Sequence, residues 1–129
     1  MKHQNKRKKL NLKSPHRKAL LRNQVISFIL HENLTSTKAR VKEVRRLAEK
    51  LVTLAREGNN FNARRRAKAL LPYNDDALIK LFKEVAPRYV GRPGGYTRMY
   101  TLGRRMGDTA QVARLEWVQS DQVTEEKAA

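Results

Sequence analysis

His3, His16 and His31 are the side chains best placed to bind a metal or move a proton near neutral pH. None lies four residues from another, and no H-E-x-x-H pattern occurs. The chain has no cysteine, so zinc would have only three scattered imidazoles to draw on, and no disulfide signal points to an oxidising compartment. His31-Glu32 reads as a helix end rather than a catalytic pair. Asp75-Asp76 reads as the acidic first turn of a helix, where negative charge suits the dipole. Asp108 is the sole acid among six arginines in 88–115, and its expected part is to order Arg104 or Arg105. Gly91-Arg92-Pro93-Gly94-Gly95-Tyr96 lacks the spacing of a P-loop and follows no βα unit. No catalytic group, metal, cofactor or small-molecule substrate is expected.

The chemistry that remains is charge. The 129 residues carry 29 Lys+Arg against 12 Asp+Glu, a formal net charge of +17. Such an excess repels itself in a compact chain and asks for a polyanion, nucleic acid before anionic membrane. Its distribution is uneven. Residues 1–22 hold nine basic residues and no acid, 88–115 hold six arginines and one acid, and 116–129 reverse the sign. The middle is near balance. Arg64-Arg65-Arg66 with Lys68 makes a third basic cluster. In the loop 91–98, Arg92, Tyr96 and Arg98 supply a fork, a stacking ring and another fork, and Gly94 and Gly95 let a backbone come close. Tyr89 reads equally as a base-stacking ring or a core residue; Trp117 reads as core. Lys6-Arg7-Lys8-Lys9 has the look of a nuclear address, but a basic arm laid into folded RNA accounts for the whole run 2–22.

Elements that would position these groups follow from periodicity. Residues 1–14 have no apolar period and read as an extended arm that Leu10 and Leu12 pin to a surface. Ser14-Pro15 opens a helix, with Ser14 as cap and Leu21, Val25, Phe28 and Ile29 as its stripe. Residues 33–36 read as a short strand. The spacing of Val41, Val44, Leu47, Ala48, Leu51, Val52 and Ala55 predicts a helix over 37–57, with Lys42, Glu43, Arg45, Arg46, Glu49 and Lys50 on its outer face and Gly58 at its end. A third helix is expected over 60–71 with Ala63, Ala67, Leu70 and Leu71 inward. A fourth is capped by Asn74 or Asp75, carries Leu78, Leu81, Phe82 and Val85, and is ended by Pro87. From Thr97 the period becomes two, with Met99 and Thr101 on one side. Gln111–Val118 alternates likewise, with Ala113, Leu115 and Trp117 together. Four helices and a hairpin make an α+β chain in two layers. Leu, Ile, Val and Phe supply 30 of the 129 residues, enough for a modest core only. The expected division is a basic arm 1–14, one globular domain 15–118 and an acidic disordered tail 119–129. No apolar run reaches membrane-span length, and no signal-peptide core follows the start.

Several stretches together resemble the family of the seventeenth protein of the bacterial large ribosomal subunit. They are Lys9-Leu10, Ser14-Pro-His-Arg-Lys-Ala19, Leu21-Arg22-Asn23, His31-Glu32, Ala48-Glu-Lys-Leu51 and Ala63-Arg-Arg65. The most specific are Leu81-Phe82, Ala86-Pro-Arg-Tyr89, Arg92-Pro-Gly-Gly-Tyr-Thr-Arg98, Gly103-Arg-Arg105 and Gly107-Asp108. The likeness spans roughly 1–118 in order. Departures are Met1-Lys2-His3-Gln4 where the family tends to read Met-Arg-His-Arg, and Arg45-Arg46 where it tends to have Arg-Pro, so the second helix is expected to run unbroken. The resemblance implies a non-catalytic constituent of the large subunit that binds its 23S-type rRNA from outside, near the nascent-chain exit region, beside other ribosomal proteins in the cytoplasm. It also implies four helices on a small three-stranded mixed sheet, the first strand lying between helices one and two.

Charge and resemblance together mark the expected rRNA contacts. In the arm and first helix they are Lys2, His3, Lys6, Arg7, Lys8, Lys9, Lys13, His16, Arg17, Lys18 and Arg22. Beyond it they are Arg64, Arg65, Arg66, Arg88, Tyr89, Arg92, Gly94, Gly95, Tyr96, Arg98, Arg104 and Arg105. The competing reading is a DNA-compacting nucleoid protein, which charge alone allows but no base-reading helix supports. A nuclease lacks a metal cluster or a base–nucleophile pair. A membrane-active peptide would need the apolar stripe that the core requires.

Overall fold

The computed structural model describes residue 3 and residues 7–58 and 60–119. Lys2, Lys6 and the acidic stretch after Gln119 lie outside the described residues. The order is α1 (Ser14–His31), β1 (Asn33–Thr37), α2 (Lys38–Ala55), α3 (Phe61–Leu70), α4 (Asp75–Lys80), β2 (Thr97–Arg104) and β3 (Gln111–Trp117).

The sheet has the order β1-β3-β2, and both pairings are antiparallel. The expected mixed sheet is therefore corrected. β3 follows β2 through a six-residue hairpin loop and must run against it, and β1 enters from the far side in the same sense as β2. Leu34 faces Leu115, and Met99 faces Leu115 from the other side. One irregularity falls between Thr101 and Gly103, where Gly103 takes a φ of 101°. A bulge with glycine at positive φ re-aims the end of the strand.

α2 is the hub, touching α1, α3 and all three strands. Val41, Val44, Ala48, Leu51 and Val52 are fully buried there, against Val25, Phe28 and Ile29 of α1 and Ala113 and Leu115 of β3. Full burial of one of the valine, leucine, isoleucine or phenylalanine side chains is worth about 2 kcal/mol. The helix runs unbroken through Arg45-Arg46. Past its end Gly58 takes a φ of 111° and donates its N–H to Ala55 O at 3.2 Å.

Local signals were mostly obeyed, with three corrections. Ser14 does not cap α1: the helix begins at Ser14 itself, because Arg17 N–H bonds Lys13 O at 2.9 Å and Lys13 holds the cap position. Pro87 does not end α4. The helix widens into a π turn over Leu81–Val85 and tightens into a 3-10 turn over Ala86–Tyr89. Proline lacks an N–H and its ring displaces the carbonyl four residues earlier, so the turn ahead of it relaxes outward. Glu43 is buried rather than solvated, because the arm covers it on the cleft side of α2. By contrast Asn74 caps α4 as expected, its side chain accepting from Asp76 N–H and Ala77 N–H.

Candidate nucleic-acid interface

The described part of the arm is not extended. Leu12 N–H bonds Lys9 O at 3.2 Å, and Leu10 and Asn11 between them have φ of 56° and 55°. Two successive residues at positive φ inside an i to i+3 bond make a tight reverse turn of the kind usually left to Asn and Gly. Two tethers bring this turn back onto the helices. Lys8 N–H donates to Glu43 Oε1 at 3.1 Å, and Arg17 Nη1 donates to Leu12 O at 3.4 Å. Leu10 and Leu12 are half-buried beneath it.

The folded arm, α1 and α2 enclose a cleft of about 890 Å³. Arg7, Lys8, Lys9, Arg17, Lys18, Arg22, Arg46 and Lys50 line it, together with Leu21, Leu47 and Leu70. Glu43 is the sole acid in its lining. Two cations about 10 Å apart repel by roughly 1.7 kcal/mol at an effective dielectric constant of 20. Eight in one cleft are stable only because solvent and ions screen them, or a polyanion replaces that screen. Arg22 is steadied at one side: its guanidinium stands 5.7 Å from the Tyr73 ring centroid, and Nη1 lies 3.4 Å from Tyr73 Oη. His16 and Lys13 are exposed beside the cleft, at the start of α1.

Arg64, Arg65 and Arg66 form a second surface. All three are exposed on α3, whose start is capped by Asn60 Oδ1 accepting from Ala63 N–H at 2.7 Å. Arg65 lies over the Phe61 ring at 6.0 Å. The last residue of α3, Leu70, lines the cleft, while Arg64, Arg65 and Arg66 do not.

The 88–105 segment behaves differently. Tyr89 and Tyr96 are each 1% exposed. Their rings lie 5.3 Å apart, and Tyr89 meets Trp117 at 6.2 Å while Trp117 stacks on Phe28 at 4.3 Å. Tyr89 Oη donates to Val118 O at 2.5 Å, and Val118 N–H returns to Tyr96 O at 2.9 Å. Burial pushes the Tyr89 phenol above its ordinary value. The expected stacking rings are thus structural: they staple the loop to the end of β3 and offer no face to a base. The rings of Tyr73 and Tyr100 are the exposed ones. Arg92 turns back on its own loop, its Nε donating to Gly94 O at 3.3 Å, while its carbonyl accepts from Arg56 and from Tyr96 Oη. Gly95 takes a φ of 65°, and the space around Gly94 and Gly95 is open. Arg88 is committed to Glu32 at 2.7 Å. Arg105 is held by Asp108 through two contacts of 2.6 and 2.8 Å, which settles the choice between Arg104 and Arg105. Arg98 and Arg104 point outward without an ion-pair partner among the described residues. None of these lines the cleft.

Arg46, Lys50 and Glu43 are absent from the expected contacts, because the outer face of α2 interleaves Glu43 and Glu49 with its four basic residues and reads as a solvated face. The spacing of Arg46 and Lys50, four apart, was the available signal. No three His, Asp or Glu side chains come together as a metal site among the described residues, and no described helix is long and apolar enough to cross a membrane.

Residues 20–118 match the family described as ribosomal protein L17. The chain belongs to the ribosomal protein L17 family. It is a structural ribosomal protein and not an enzyme, and membership decides against the DNA-compacting reading. Curated relatives are named large ribosomal subunit protein bL17. The one from Borrelia hermsii is 49% identical over 119 residues, covering 92% of this chain and 94% of its own length. The one from Desulforudis audaxviator is 50% identical over 111 residues, covering 86% and 97%. That from Thermomicrobium roseum is 46% identical over 118 residues, covering 92% and 99%. The L17 match starts inside α1, so the arm and the start of the cleft lie before it.

Proposed function

We propose that this chain sits in the large ribosomal subunit and stabilises the folded 23S-type rRNA by neutralising phosphates where RNA helices converge. Fixed cations do this without a mobile ion atmosphere. The observation that carries the reading is the cleft of eight cations between arm, α1 and α2. The exposed arginines of α3 and the outward Arg98 and Arg104 extend the contact, while neighbouring ribosomal proteins cover other faces. The cytoplasmic location follows from that of the subunit.

Titrating the protein onto transcribed large-subunit rRNA over a range of salt tests it. Log affinity should fall with log salt by roughly 0.7–0.9 for each phosphate neutralised. A flat slope would defeat the proposal.

A further inference from the structure

A carboxylate inside a cleft meant for phosphates works against binding, yet Glu43 is only 7% exposed among eight cations. We propose that Glu43 is the positioning residue of the arm: it fastens the main chain at Lys8 over α1 and α2, and so closes the cleft into a seat for consecutive phosphates of an RNA backbone. This rests on the RNA-binding reading above.

The contact itself supports it. Glu43 Oε1 accepts from the backbone N–H of Lys8, not from its ammonium. It fixes a chain path and leaves the Lys8 side chain for a ligand. The second neighbour, Arg46 Nη1, is 3.7 Å from the same oxygen. One acid thereby links the arm to α2 and steadies an arginine one turn along its own helix. The reverse turn at Lys9–Leu12 then places Lys9 back toward α1, and Arg17 holds its far end at Leu12 O. Without the acid, Arg7, Lys8 and Lys9 would face Arg17, Lys18, Arg22, Arg46 and Lys50 with the arm held only at its far end, by Arg17 on Leu12 O, and like charges would push its start away. A ligand meeting a detached arm must order it on binding, which weakens affinity.

The test sets charge against geometry. Glu43→Leu adds one net positive charge, so a charge-only interface would bind rRNA more tightly. The positioning role predicts weaker binding, by about tenfold, with a smaller salt slope. Glu43→Gln keeps an acceptor for Lys8 N–H and should recover most of the loss. In the isolated full-length protein, Glu43→Leu should speed tryptic cleavage after Lys8 and Lys9 without lowering the thermal midpoint. Lys8→Pro, which removes the donor, should weaken binding more than Lys8→Ala, and adding Glu43→Leu to it should cost nothing further. Tighter binding by Glu43→Leu, or an equal loss with and without Lys8→Pro, would overturn the inference. Wild-type protein that binds with no salt dependence would overturn the RNA-binding reading itself.

Discussion

Arg88 Nη2 stands 2.7 Å from Glu32 Oε1, and this contact joins the end of α1 to the turn that follows α4. Glu32 is at that place because it caps α1, with a φ of 63° and its N–H on Phe28 O at 2.8 Å. Lys80 Nζ approaches the same carboxylate at 3.7 Å while donating to Leu30 O at 2.9 Å. Three elements meet at one acid, and an arginine expected to meet RNA is engaged within the fold.

The hydrogen bond from Arg88 holds the Glu32 carboxyl below its ordinary value near 4.5, against an opposing push from burial. A depressed folded value means that the stabilisation is present above about 4.5 and lost as pH falls through the lower value. Both side chains are partly exposed, so Glu32→Gln should cost only about 0.5 kcal/mol at neutral pH. Denaturant midpoints of the two proteins should converge on acidification. A gap that stays constant down to strong acid would exclude the ion pair as its cause.

Tyr89 should prove structural. Tyr89→Ala should destabilise by about 3–5 kcal/mol through the cavity left in the aromatic cluster. Tyr89→Phe should cost about 1 kcal/mol for the lost bond to Val118 O and leave rRNA affinity unchanged. Its phenol, raised by burial, should stay protonated as pH climbs past the ordinary tyrosine range. Ultraviolet difference titration would read this directly, and an unshifted tyrosine count would contradict it.

The arginines of α3 should be separable from stability. Replacing Arg64, Arg65 and Arg66 together by Gln removes exposed charge and no buried contact. The thermal midpoint should hardly move, and the salt slope of rRNA binding should drop by about 2–3. An unchanged slope would place this face away from RNA.

Thr109 adopts a φ of 55° at the hairpin turn, a conformation that a β-branched residue resists. Thr109→Asn should relieve that strain and raise stability by about 0.5–1 kcal/mol. Calorimetry would decide it; a lower midpoint would show that the Thr109 Oγ1 bond to Asp108 O at 2.7 Å outweighs the strain.

Sequence by itself determined most of the elements and the need for a polyanion. Periods of 3–4 and 2 depend on which residues are apolar, and those are local facts: α2, the stripe of α1 and the alternation of β3 were legible for that reason. The charge excess and its flanking position are likewise sums over residue types, so a polyanion was readable without coordinates. Only the tertiary structure decided which side chains are free to use that charge. Tyr89 and Tyr96 carry the same ring as an exposed tyrosine, but contacts with Trp117 and Val118 from a distant strand bury them. Arg88 is indistinguishable in sequence from Arg98, yet Glu32 claims one and not the other. Glu43 and Lys8 lie 35 residues apart, and no local pattern reports that a main-chain N–H will meet a carboxylate across that distance. Burial and pairing are properties of neighbours in space, and those are set by packing.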